Sequence, residues 1–104
     1  ISGGGSQSSA ICQITADIFG LPVSRVQTYE TTSLGAAISC FTSIGEYSSV
    51  EEATNAMSRV TKTFLPNKEH QKRYEYLYKK VYLKMYPQLK DVYKDLKKYD
   101  NKEW

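Results

Sequence analysis

Histidine, cysteine and tryptophan are scarce in this chain of 104 residues: His70 is its one histidine, Cys12 and Cys40 its two cysteines, Trp104 its one tryptophan. One histidine without clustered carboxylates argues against a metal centre. Nothing in the chain pairs a nucleophile with a base, and His70, beside Glu69, reads as an exposed helical side chain. Two cysteines make neither a disulfide framework nor a zinc signature, so both are expected to be reduced core residues of a cytoplasmic protein. No apolar run approaches the roughly 20 residues of a membrane helix, and no signal peptide is visible. Residue 1 is Ile, which suggests processing or excision from a longer chain.

Charge is unevenly spread. Residues 1–67 hold three Lys/Arg against five Asp/Glu, and residues 68–104 hold eleven against six. Seven of the nine tyrosines fall between Tyr74 and Tyr99, interleaved with lysines. Basic and aromatic interleaving can bind single-stranded RNA. However, Tyr74, Tyr78, Tyr82 and Tyr86 recur every four residues, which an amphipathic helix with polar-tipped tyrosines explains without nucleic acid.

Small residues concentrate at the start, in Ser2-Gly3-Gly4-Gly5-Ser6-Gln7-Ser8-Ser9. A glycine turn feeding a helix N-terminus can present backbone N–H groups to a phosphate. The same run can equally be a flexible lead-in. It lacks the Gly-Lys-Ser/Thr of a phosphate loop and the third glycine of a dinucleotide fingerprint.

Ser8 or Ser9 can cap a helix over about 9–19 whose apolar stripe is Ile11, Ile14 and Ile18, with Gly20 placed to end it and Pro22 beyond. Val23-Ser24-Arg25-Val26-Gln27 reads as a short strand. Thr31, Thr32 and Ser33 offer caps for a second helix facing inward through Leu34, Ala37, Ile38 and Phe41, kept thin by Gly35 and closed by Gly45. Ser49-Val50-Glu51-Glu52 is a capping box that opens a third helix through Ala53, Ala56, Met57 and Val60. Phe64-Leu65-Pro66-Asn67 is a break. A long helix over 68–86, stopped or kinked by Pro87, precedes a final helix bearing Leu89, Val92, Tyr93 and Leu96. The tail over 100–104 is expected to fray. A lone strand cannot satisfy its own backbone, which suggests that partner strands lie elsewhere.

In this order, Ser2–Ser8, Gln13–Val23 and Glu30–Ala37 strongly resemble the C-terminal segment of FGGY-family carbohydrate kinases, in the xylulokinase-like branch. Tyr47–Ala53, the break at 64–67 and Tyr86–Lys90 are similar too. The resemblance implies an α/β class, here a mostly helical fragment of an actin-like, ribonuclease-H-like ATPase domain with little sheet. It makes the chain a single partial domain, with the glycine loop, short strand and first helices in 1–67 and the Tyr/Lys-rich helices in 68–104.

That family phosphorylates a sugar hydroxyl with ATP and Mg²⁺ in a cleft between two domains. Carried over, Gly4 contacts the nucleotide through its backbone, Gly3 and Gly5 shape the turn, and Ser6 and Gln7 line it. Ser8 stands where glycerol-kinase relatives carry an Asn. The catalytic base and most of the sugar pocket belong to an N-terminal domain absent from these residues, so no catalytic residue and no metal ligand is assigned. Asp17 is expected at the surface or against a helix end. These residues alone are expected to be inactive, to bind ATP at most weakly, and to bind neither nucleic acid nor a membrane. The last helices are expected to pack on the absent lobe, and their apolar face would otherwise drive homo-oligomer formation. The rival expectation is a helical module that uses its basic Tyr-rich face on RNA or a protein.

Overall fold

The computed structural model describes residues 1–100, and of Asp100 only the backbone. A 3₁₀ turn, Gly4–Gln7, leads into α1, Ser9–Phe19, then β1, Val23–Val26. Helices α2, Thr31–Ser43, and α3, Val50–Met57, precede β2, Val60–Phe64. Helix α4, Lys68–Leu77, runs through a π-helical stretch, Tyr78–Tyr82, into α5, Leu83–Asp100.

Local chemistry explains the ends of α1. The Ser8 hydroxyl accepts from the Ile11 N–H at 3.4 Å, and Gly20 closes the helix at φ 64°, its N–H donating to the Ala16 carbonyl. The buried face is not the isoleucine stripe. Ile11, Ile14 and Ile18 are each close to half exposed, whereas Cys12 and Ala16 are fully buried and join Phe64 and Val23 in a small core. Small residues win that face because the sheet lies close against it. Cys40 is exposed, so only Cys12 is the core cysteine expected of both.

Strands β1 and β2 pair antiparallel, Val23 opposite Phe64 and Arg25 opposite Lys62. The expectation of a strand without a partner is therefore corrected. Val60-Thr61-Lys62-Thr63-Phe64, read as a helix end and a break, carries the β-branched alternation of a strand. The register slips between Arg25 and Val26, leaving Thr61 as the extra residue of a bulge. Its hydroxyl donates toward the Arg25 and Val26 carbonyls at 3.2 and 3.3 Å. Gln27 splices the strand ends, donating to the Met57 carbonyl and accepting from the Arg59 N–H.

Helix α2 packs on α3. Its N-cap is Glu30, without a side-chain bond, so Thr31 to Ser33 form the first turn and do not cap it. No described atom comes within 4 Å of a Cβ built at Gly35, so the close approach that Gly35 permits is not used by the described residues. At α3 the Ser49 hydroxyl accepts from Glu52 N–H, but the Glu52 carboxylate reaches back to the N–H and hydroxyl of Ser48, one residue before the cap. Those two bonds hold the Glu52 carboxyl below its ordinary range.

Pro87 neither stops nor ends the last helix, since α5 runs through it. The missing N–H costs one backbone bond, and amphipathic turns on both sides carry the helix across. Together α4, the π stretch and α5 form an exposed arm: Tyr82 is 65% exposed, Val92 61% and Leu96 56%. The expected fraying tail lies outside the described residues, apart from the Asp100 backbone. The arm gives the molecule a radius of gyration of 20.9 Å, against about 13 Å for a compact domain of this length. Its 8395 Å² of accessible surface likewise exceeds the roughly 5900 Å² of a compact monomer of its mass.

Candidate functional site

The glycine run is an ordered turn. Gly3 sits at φ 81°, ψ 179°, a combination essentially closed to residues with a Cβ. Its N–H donates to the Tyr29 carbonyl at 3.1 Å. At Gly4 a Cβ would meet nothing within 4 Å, so this side of the turn is open to an approaching ligand. A Cβ at Gly5 would touch Ile11 at ordinary distance. As the first residues of a 3₁₀ turn, Gly4 and Gly5 have no intrahelical acceptor for their N–H groups.

The serines are committed to the fold. Ser6 is 4% exposed, and its hydroxyl donates to the Gly3 carbonyl at 2.7 Å. The Ser8 hydroxyl serves as the α1 cap. Gln7 is exposed. The turn thus offers a ligand chiefly backbone from Gly4 and Gly5 and a side chain from Gln7. Beside it lies a cavity of about 340 Å³ lined by Ser6, Gln7, Arg25, Gln27, Tyr29 and Thr61. Arg25 donates from Nη1 to the Ser6 and Gln7 carbonyls. Reading the sequence did not single out Arg25, because a lone arginine in a strand carries no motif.

A second polar node joins α1 to the arm. Asp17 is 2% exposed, which corrects the surface position offered for it and bears out the helix-end contact. Its Oδ1 accepts from Asn67 N–H at 2.7 Å and Gln13 Nε2 at 2.9 Å, and its Oδ2 accepts from His70 Nδ1 at 2.9 Å. The Asn67 N–H, ahead of the His70 and Gln13 bonds, holds this carboxyl below its ordinary range against the opposing effect of burial. Asn67 itself caps α4 by accepting from Glu69 and His70 N–H groups. His70 is exposed, as expected, but it is one of the partners that fasten Asp17. Among the described residues no group of three or more His, Cys, Asp or Glu side chains could hold a metal ion.

A glycine turn opens a helix, a short antiparallel pair and a run of helices follow, and this arrangement superposes on a piece of the actin-like ATPase fold. The ligand-bound xylulose kinase of Lactobacillus acidophilus superposes on 91% of the chain with a TM-score of 0.79 at 21% identity, which uses 19% of that structure. Residues 1–44 match the C-terminal domain of the FGGY family of carbohydrate kinases. The chain is 39% identical over 99 residues to an uncharacterized sugar kinase of Escherichia coli, covering 95% of this chain and 18% of that protein. It is 36% identical over 73 residues to a xylulose kinase of Staphylococcus epidermidis, covering 70% of this chain and 15% of that one. Residues 1–44 thus carry the C-terminal domain match of the FGGY family, and the chain as a whole corresponds to a C-terminal segment of these carbohydrate kinases. It spans less than a fifth of the length of these relatives.

Proposed function

We propose that the protein carrying this segment transfers the γ-phosphoryl group of ATP, with Mg²⁺, to a hydroxyl of a pentulose or a related sugar or polyol. In this reading the turn from Gly3 to Ser8 supplies backbone contacts on the adenosine side of the nucleotide, and the rest of the protein supplies the base and the sugar pocket. The observation that carries it is the turn itself, with Gly3 in a conformation closed to residues with a Cβ, open Gly4 and two N–H groups without intrahelical acceptors inside the matched residues 1–44. Phosphoryl transfer relies on positioning and charge neutralisation. An adenosine-side contact holds ground state and transition state alike, so its loss raises KM and spares kcat.

Gly4→Val in the full-length kinase tests this directly, since Cβ at residue 4 has open space. The expected result is a rise in the KM for ATP of about tenfold, close to 1.4 kcal/mol of lost binding, with the sugar KM unchanged. An unchanged KM for ATP removes the turn from the nucleotide site. The 104 residues alone are expected to turn over no pentulose. A second reading rests on the arm, where exposed Tyr78 and Tyr82 stack at 5.6 Å among lysines: a module engaging RNA or a protein. A salt-dependent shift with single-stranded RNA and none with ATP would favour it.

A further inference from the structure

The strand β1 reaches the glycine turn through one side chain. Arg25 Nη1 donates to the carbonyl of Ser6 at 3.1 Å and to that of Gln7 at 3.2 Å. Those are the carbonyls at the end of the turn, which lack intrahelical donors. Cys12 Sγ adds a donor to the Ser6 carbonyl at 3.3 Å. The guanidinium lies over the ring of Phe64, 5.5 Å from its centroid, and that ring is 6% exposed and anchored in the core. Lys62, across the strand pair from Arg25, sits over the same ring at 4.8 Å. Two like charges directly opposite repel, and the shared ring together with the two carbonyls offsets that repulsion for Arg25.

We infer that Arg25 is the positioning residue of the glycine turn: it fixes the turn's far end so that the Gly4 and Gly5 N–H groups keep a fixed direction toward the nucleotide. The inference rests on the nucleotide reading above. Arginine suits the task because a planar guanidinium can donate to two carbonyls while its face stays on a ring. Lysine can supply the charge but not the flat guanidinium face that lies on the Phe64 ring. The turn's other supports act elsewhere: Gly3 N–H on the Tyr29 carbonyl holds its start, and the Ser6 hydroxyl on the Gly3 carbonyl closes it internally.

Arg25→Met and Arg25→Lys in the full-length kinase test this, alongside Gly4→Val. Arg25→Met is expected to raise the KM for ATP about tenfold, to leave kcat and the sugar KM within about twofold, and to speed amide hydrogen exchange across residues 4–7. Arg25→Lys is expected to recover part of the KM. If Arg25→Met leaves the KM for ATP and the exchange unchanged while Gly4→Val raises that KM, the positioning role is overturned and the nucleotide reading stands. If Gly4→Val is also silent, the nucleotide reading falls and the inference with it. If Arg25→Met unfolds the protein, the lysine variant decides: a raised KM for ATP alone supports positioning, and equal losses in kcat and both KM values overturn it.

Discussion

The body of the molecule, up to residue 67, and the arm that follows it use similar proportions of apolar side chain to opposite effect. In the body, fully buried Cys12 and Ala16 and nearly buried Phe64 pack together, and both buried polar side chains, Ser6 and Asp17, are hydrogen-bonded. In the arm no described residue is buried. Beyond the His70 contact with Asp17 at its base, its ion pairs are local: Glu75 to Lys79, Asp91 to Lys94 and Asp95 to Lys98, one turn apart on an exposed surface. Such pairs contribute little. Apolar periodicity therefore states that a helix has a face and leaves open what, if anything, lies against it.

Substitutions can break or sharpen that contrast. Phe64→Ala should have the largest effect, about 3 kcal/mol or more for emptying an aromatic site, read as a lower urea midpoint; an effect below 1 kcal/mol would deny the body a core. Asp17→Ala comes next, leaving the Asn67 N–H and His70 without this acceptor and Gln13 with the Leu65 carbonyl alone. It should lower the melting temperature by about 5–10 °C and expose the 65–70 junction to limited proteolysis. Because folding depresses the Asp17 carboxyl, its stabilisation is complete above the ordinary carboxylate range and fades as pH falls through the depressed value. Wild-type melting should thus fall below about pH 4 more steeply than that of Asp17→Asn. Gly20→Ala should cost about 1–2 kcal/mol, since φ is +64° and the new Cβ would run into the Gln71 side chain. Leu96→Gln, on the arm, should change stability by less than about 0.5 kcal/mol, and a larger loss would show that the arm's face is covered in solution.

Much of the body was legible in sequence. The Ser8 cap, the Gly20 terminus and the strand from Val23 follow from short-range chemistry, which local residues decide by themselves. The family resemblance was legible too, because it rests on ordered motifs. What escaped was decided at long range. Strand β2 was hidden because Val60 falls at helical spacing from Met57, and only pairing with β1 settles its conformation. The α1 burial face was misread because the larger side chains point away from the sheet. Asp17 and Arg25 carry no motif. Their partners lie 50 and 19 residues away, at Asn67 and Ser6, and no local pattern could have joined them. Pro87 does not stop the helix, since one missing bond does not end a helix favoured on both sides.

The arm meets the body at its base, where α4 lies on α1 and Asp17 fastens Asn67 and His70. Residues 68–100 form a rod about 50 Å long at the usual helical rise. A fastening so near one end makes it a lever. A tilt of about 10° at the Asp17 pivot would carry the far end through roughly 9 Å, by the same rise per residue. Whatever grips the tip therefore has mechanical advantage over α1, the helix that the glycine turn opens.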